Sequence, residues 1–161
     1  MGFDTGTGLT VDGVTYSFPL GGATALIGDS TDLSTLFTGA CTYSSFTDLP
    51  TDDCGTGNSL GSIGKGVTAA LAYEFDSGLS LAGGITSGQK EILGDNADAL
   101  GLNAAYSADS YGVAVAYVSD DGGTATDTTY WGLNGYYTFD LASLSVGFET
   151  SDDGTTEKSG Y

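Results

Sequence analysis

From Gly66 to Ser87 apolar and polar residues alternate almost one for one. Val67, Ala69, Leu71, Tyr73 and Phe75 hold one set of positions, and Thr68, Ala70, Ala72 and Glu74 hold the other. After Asp76-Ser77-Gly78 the chain returns with Leu79, Leu81, Gly83 and Ile85 set against Ser80, Ala82, Gly84 and Thr86. Successive side chains on a strand point to opposite faces, so this spacing predicts an antiparallel hairpin with one apolar and one hydrophilic face.

The same period recurs along the chain. Val14, Tyr16 and Phe18 alternate with Thr15 and Ser17, and Pro19-Leu20-Gly21-Gly22 reads as a turn. Ala23, Ala25 and Ile27 alternate with Thr24, Leu26 and Gly28 in the least decisive of the predicted strands. Further strands are predicted around Leu100–Tyr106, Tyr111–Tyr117, Trp131–Phe139 and Ala142–Glu149, which makes about eight strands plus remnants. The connection over residues 29–64 is long yet carries Leu33, Leu36, Phe37, Phe46, Leu49, Leu60 and Ile63. Long structureless loops are uncommon, so it is expected to fold against the sheet or into the mouth of a barrel.

Short and long connections alternate: short after Phe18, at Asp76, at Ser107 and at Asp140, and long between them. Outer-membrane barrels have short periplasmic turns and longer outer loops. Phe18, Tyr73, Phe75, Tyr106, Tyr111, Tyr137 and Phe139 lie beside the short turns, and Tyr117, Tyr130, Trp131 and Phe148 beside the long loops. That is the arrangement of two interfacial girdles. A soluble β-sandwich would share the alternation, but its wet face usually carries Lys, Arg, Glu and Thr. Here that face is Ala, Gly, Ser, Thr and Asn, which suits a water-filled lumen. The predicted fold is therefore all-β, an antiparallel transmembrane β-barrel represented by one segment over residues 1–161. Its lumen-facing residues would be Thr68, Glu74, Ser80, Thr86, Asn103, Asn134, Ser143, Ser145 and Glu149.

Composition sharpens this picture. The chain has 161 residues with 27 Gly, ten Tyr and seven Phe, and no helical periodicity, which is an all-β composition. Its 21 acidic residues face only three Lys, with no Arg or His, so a nucleic-acid partner is set aside. Asp52, Asp53, Asp120, Asp121, Asp127, Asp152 and Asp153 fall in long connections and would form an acidic outer mouth. The first residues, Met1 to Gly6, hold neither a basic region nor an apolar core, so a mature or truncated piece is expected. A complete bacterial barrel starts with an outer loop, whereas the first connection here is short. At least one further strand is expected upstream, and missing strands are expected to meet the edges of this piece.

Site chemistry is sparse. Without His or Arg, catalysis would rest on carboxylates or Lys, and only Glu74 and Glu149 stand on strands; as a glycosidase dyad they are poorly placed, at opposite strand ends. Asp120-Asp121-Gly122-Gly123, Asp127 and Asp152-Asp153-Gly154 are oxygen-rich turns that could hold calcium, but they have no EF-hand spacing, and solvated acidic turns are the plainer reading. No cofactor is implied. Cys41 and Cys54 sit in a polar stretch and read as a disulfide closing the outer loop within residues 29–64, contributing about 3 kcal/mol. The rival reading is zinc, which two thiols alone leave short of ligands. Mass spectrometry of the unreduced protein is expected to find Cys41 bonded to Cys54, and two free thiols would remove the argument for an oxidising compartment.

At Gly13-Val14-Thr15-Tyr16-Ser17-Phe18-Pro19-Leu20, at Gly28-Asp29-Ser30-Thr31-Asp32, and around Cys41 and Asp52-Asp53-Cys54-Gly55, the chain resembles the marine-type porins of cyanobacterial outer membranes. The resemblance covers most of the chain through short motifs. It implies a barrel fragment that conducts ions and small hydrophilic solutes in the cell outer membrane. In that family a signal peptide and a surface-layer-homology domain precede the barrel, and some members are associated with inorganic iron uptake. Expected partners are membrane lipid, small solutes and cations, and further copies of the chain. Two other classes stay open: a secreted acidic β-sandwich acting as an adhesin or calcium-dependent module, and a structural role with the outer loops as a docking site for phage.

Overall fold

The computed structural model describes residues 13–31, 33–40, 66–88, 98–121, 126–154 and 157–159. The strands are β1 (Val14–Leu20), β2 (Ala23–Thr31), β3 (Gly66–Glu74), β4 (Leu79–Ser87), β5 (Asp98–Ser107), β6 (Tyr111–Asp120), β7 (Thr128–Thr138), β8 (Ser143–Asp152) and the short β9 (Glu157–Ser159). They form one antiparallel sheet in sequence order, β1 to β9. The chain is thus all-β, and among the described residues the one helical element is a 3₁₀ turn at Leu33–Leu36. Among the described residues β1 and β9 are opposite edges of the sheet and do not pair, so the sheet is open.

β1 runs two residues past Phe18, because Gly21 (φ 59°) and Gly22 (φ 92°) suffice for the turn. A two-residue hairpin turn of type I′ needs positive φ at both positions, which glycine adopts without strain. Pro19 is accommodated on β1, which among the described residues pairs on one side only, with β2. β2 extends to Thr31 through a bulge between Gly28 and Thr31, with Ser30 at φ 54°.

Directly opposed residues share a face, so the registers define rows across the sheet. One row is Thr68, Thr86, Ala99, Asp120 and Thr128. The next on the same face is Ala70, Gly84, Gly101, Val118, Tyr130 and Ser151, then Ala72, Ala82, Asn103, Ala116, Gly132 and Glu149, then Glu74, Ser80, Ala105, Ala114, Asn134 and Gly147. The rows are also staggered. The last pairs before three short turns are Glu74–Ser80, Ser107–Gly112 and Thr138–Ser143, each two residues further along than the one before. Two residues of rise over two strand spacings is a lean of about 35° against a line through the turns.

The two faces have opposite fates. On the small and polar face lies the segment Leu33–Ala40, here called the strap. Leu33 packs in a buried cluster with Leu26, Ala70, Ala99 and Val118, flanked by Leu36, Phe37 and Tyr130. Ala40 packs with Ala105 and Ala114 beside Tyr136. On the other face Tyr16, Ile27, Leu71, Leu102, Val113, Leu133 and Val146 are all exposed. Among the described residues seven of the ten buried apolar side chains are alanine, so most of the large apolar side chains described lie outside this core.

Candidate functional site

The strap face carries the polar side chains that sequence spacing grouped together. The registers place Thr68, Glu74, Ser80, Thr86, Asn103, Asn134, Ser143, Ser145 and Glu149 all on it. At the loop-side end the Thr15 and Thr31 hydroxyls meet at 2.6 Å, the Thr68 hydroxyl donates to the Thr31 carbonyl at 2.6 Å, and the Thr68 and Thr86 hydroxyls meet at 2.7 Å. These threonines tie β1 through β4 together where the chain leaves β2 for the strap.

Two asparagines fasten the strap. The Asn103 side-chain oxygen accepts from the Thr38 N–H at 2.8 Å, while its amide donates to the Thr38 carbonyl at 3.2 Å and to the Val115 carbonyl at 3.1 Å. Asn134 accepts from the Ala40 N–H at 2.8 Å. Both side chains are buried, so each bond satisfies groups that would otherwise lose water without replacement, a loss of about 1–3 kcal/mol per group. The strap lies close because the wall beneath it lacks side chains. A Cβ on Gly101 would stand 2.5 Å from Leu33 Cδ2 and 2.9 Å from Phe37 Cζ.

Glu149 is buried on this face, Ser80 and Ser145 are half-buried, and Glu74 and Ser143 are exposed towards the short turns. Glu74 on β3 and Glu149 on β8 are five strand spacings apart, roughly 24 Å along the sheet.

Asp120, Asp121, Asp127, Asp152 and Asp153 stand at the loop end of the strands, whereas Asp76, Asp109 and Asp140 stand in the short turns at the other end. Asp120 closes β6 opposite Thr128, and Asp152 near the end of β8 lies opposite Thr129. Asp121 donates its N–H to the Asp98 carbonyl, and Asp127 precedes β7. Asp153 follows β8, whose Asp152 side chain accepts from the Gly154 N–H at 2.7 Å. Among the described residues no group of three or more His, Cys, Asp or Glu is arranged to hold a metal ion. Asp52, Asp53, Cys41 and Cys54 lie outside the described residues.

The aromatic residues pair at strand ends. Tyr16–Phe18, Tyr73–Phe75, Tyr106–Tyr111 and Tyr137–Phe139 are in ring contact at the short-turn side, and Tyr117–Trp131 at the loop side. Tyr130 departs from the expected girdle, since it packs against the cluster under the strap. Its position carried the signal, because it alternates in step with Gly132, Asn134 and Tyr136 on the hydrophilic set. Tyr136 likewise points to the strap face, over Gly112, and donates to the Ala108 carbonyl at 3.3 Å.

Compared with known proteins, the chain matches no family model, no curated protein and no solved structure.

Proposed function

We propose that the sheet is part of the wall of a porin-type β-barrel in an outer membrane, a passive, non-enzymatic channel for ions and small hydrophilic solutes. The observation that carries this reading is the inversion of the two faces. Exposed large apolar side chains, from Val14 and Tyr16 at one edge to Leu144, Val146 and Phe148 at the other, cover one side of all eight long strands. Together they present on the order of 1,500–2,000 Å² of apolar surface, several times the largest patch of a typical soluble monomer. A β-sandwich would bury that face under a second sheet, and no described residue lies on it as a second layer. Lipid would cover it without further protein.

Three further observations support the same reading. The lean of about 35° is that of barrel strands. The aromatic pairs lie at the strand ends, where a bilayer has its interfaces. The strap on the small-residue face would narrow the lumen without filling it.

The charge at the loop end makes this channel cation-favouring. Asp98, Asp120, Asp121, Asp127, Asp152 and Asp153 share that end, and fixed negative charge at a low-dielectric mouth concentrates cations. In planar bilayers with a salt gradient, reversal potentials are expected to show cation preference at low ionic strength. The preference should shrink when Asp120, Asp121 and Asp127 become Asn, and at about 1 M salt, where the screening length falls to about 3 Å. Anion preference at low salt would refute the selectivity, and absence of any conductance from inserted protein would refute the channel.

A further inference from the structure

We propose that the apolar face fits a thin bilayer, with a hydrocarbon core about 20 Å across in place of the band of about 25 Å usual for outer-membrane barrels. The inference rests on the membrane reading above and specifies the lipid layer. The apolar face is a band whose two edges run parallel across the sheet. At the loop side, the row that holds Ile27, Ile85 and Leu100 turns polar where it reaches Ser119 on β6 and Thr129 on β7. The next row towards the turns holds Leu102, Tyr117 and Trp131, and it turns polar one strand later, at Thr150 on β8. At the turn side the ring pairs Tyr73–Phe75, Tyr106–Tyr111 and Tyr137–Phe139 follow the same stagger as the turns they flank.

Parallel edges give the band a nearly constant height, which a flat lipid layer requires and a protein partner does not. On β6 it runs from Tyr111 to Tyr117, and on β7 from Trp131 to Tyr137 with Phe139 in the turn beyond. Six residues of rise at a lean of about 35° make about 17 Å along the membrane normal, and eight, counting Phe139, make about 22 Å. Leu79–Ile85 on β4 and Leu100–Tyr106 on β5 span the same length as the β6 stretch. A core one row thicker would take Ser119, Thr129 and Thr150 into hydrocarbon, together with the carboxylate of Asp29, which is exposed on the same face of β2. The alternative, a bilayer thinned around the sheet, also costs free energy.

Phosphatidylcholine vesicles separate thickness from charge, since a chain with 21 acidic residues and three Lys is repelled by anionic lipid of any thickness. The full chain is refolded into fluid dimyristoleoyl, dioleoyl and dierucoyl vesicles and unfolded with urea in each. The highest urea midpoint is expected in dimyristoleoyl lipid, with a successive loss in the two thicker ones. Trp131, 51% exposed, is the one tryptophan of the chain, so its fluorescence reports the loop-side edge of the band. Quenching by bromine at known depths in the acyl chains is expected to place it about 8–9 Å from the bilayer centre, half the height of the band. The triple variant Ser119→Leu/Thr129→Leu/Thr150→Leu adds one apolar row of about 6 Å, so the highest midpoint should move to dioleoyl lipid and Trp131 about 3 Å nearer the centre.

A highest midpoint in dioleoyl or dierucoyl lipid for the unsubstituted chain would overturn the thin fit while leaving the membrane reading intact. Trp131 at about 12 Å or more from the centre, the edge of an ordinary band, would do the same without needing the variant to fold. A preference for thin lipid that the folded triple variant keeps unchanged would also overturn it, because the height of the band would then not set the preference. Protein that enters no vesicle and stays soluble without detergent would overturn both readings.

Discussion

Replacing Leu71 or Leu102 with arginine is expected to weaken assembly in a bilayer by about 2–4 kcal/mol, whereas arginine at Ala72 or Ala82 is expected to cost less than half as much. Leu71 and Leu102 stand on the apolar face, 46% and 52% exposed, and both lie in the body of their strands. Ala72 and Ala82 are directly opposed on the strap face. The contrast separates lipid from water as the neighbour of the apolar face. A side chain already exposed to water accepts a charge within about 0.5 kcal/mol, because nothing is desolvated. One already exposed to hydrocarbon would have to carry the guanidinium out of water. Folding yields into vesicles for the four variants, measured against urea, decide the matter. Equal tolerance on the two faces would remove the lipid-facing assignment.

On the porin reading proposed above, freeing the strap is expected to raise single-channel conductance by about two-fold or more, because conductance follows the open cross-section. Two routes lead there. Asn103→Ala together with Asn134→Ala deletes the bonds to Thr38 and Ala40 and leaves buried strap groups unpartnered, at about 1–3 kcal/mol each. Gly101→Val acts by space: the nearest atoms to a Cβ there belong to Leu33 and Phe37 of the strap and not to the backbone of the sheet. The sheet should therefore persist while the strap is displaced. Gly66 is the contrasting control, since a Cβ there would meet the Ser87 carbonyl oxygen and disturb the β3–β4 pairing itself. Unchanged conductance in correctly inserted Asn103→Ala/Asn134→Ala and Gly101→Val proteins would show that the strap does not limit flow.

Strand existence and facing were legible because period-2 alternation is a local property of the chain. The arms Val67–Glu74 and Leu79–Thr86 and their turn appear in the structure with at most one residue of difference at each end. Strand ends were less legible where local cues conflict. Pro19 argues against continuing β1, yet at an edge it forfeits no bond to β2 that the turn requires, and Leu20 still pairs with Ala23. Tyr130 stands beside a long loop, which suggests a girdle position, yet its alternation with Gly132 and Asn134 puts it on the strap face, where it packs.

By itself the sequence determined the all-β class, the order of the strands, and which side chains share a face, since each follows from neighbours within one or two residues. Only the tertiary structure decided the registers, the two-residue stagger, the open edges, and the course of Leu33–Ala40 across the small-residue face. These depend on meetings between distant residues: Thr38 bonds to Asn103 and Ala40 to Asn134, separations of 65 and 94 residues. No local pattern encodes such a meeting. An asparagine on a hydrophilic face can serve a lumen or a strap equally well, and its partner is chosen by where the folded wall leaves room, here above Gly84 and Gly101.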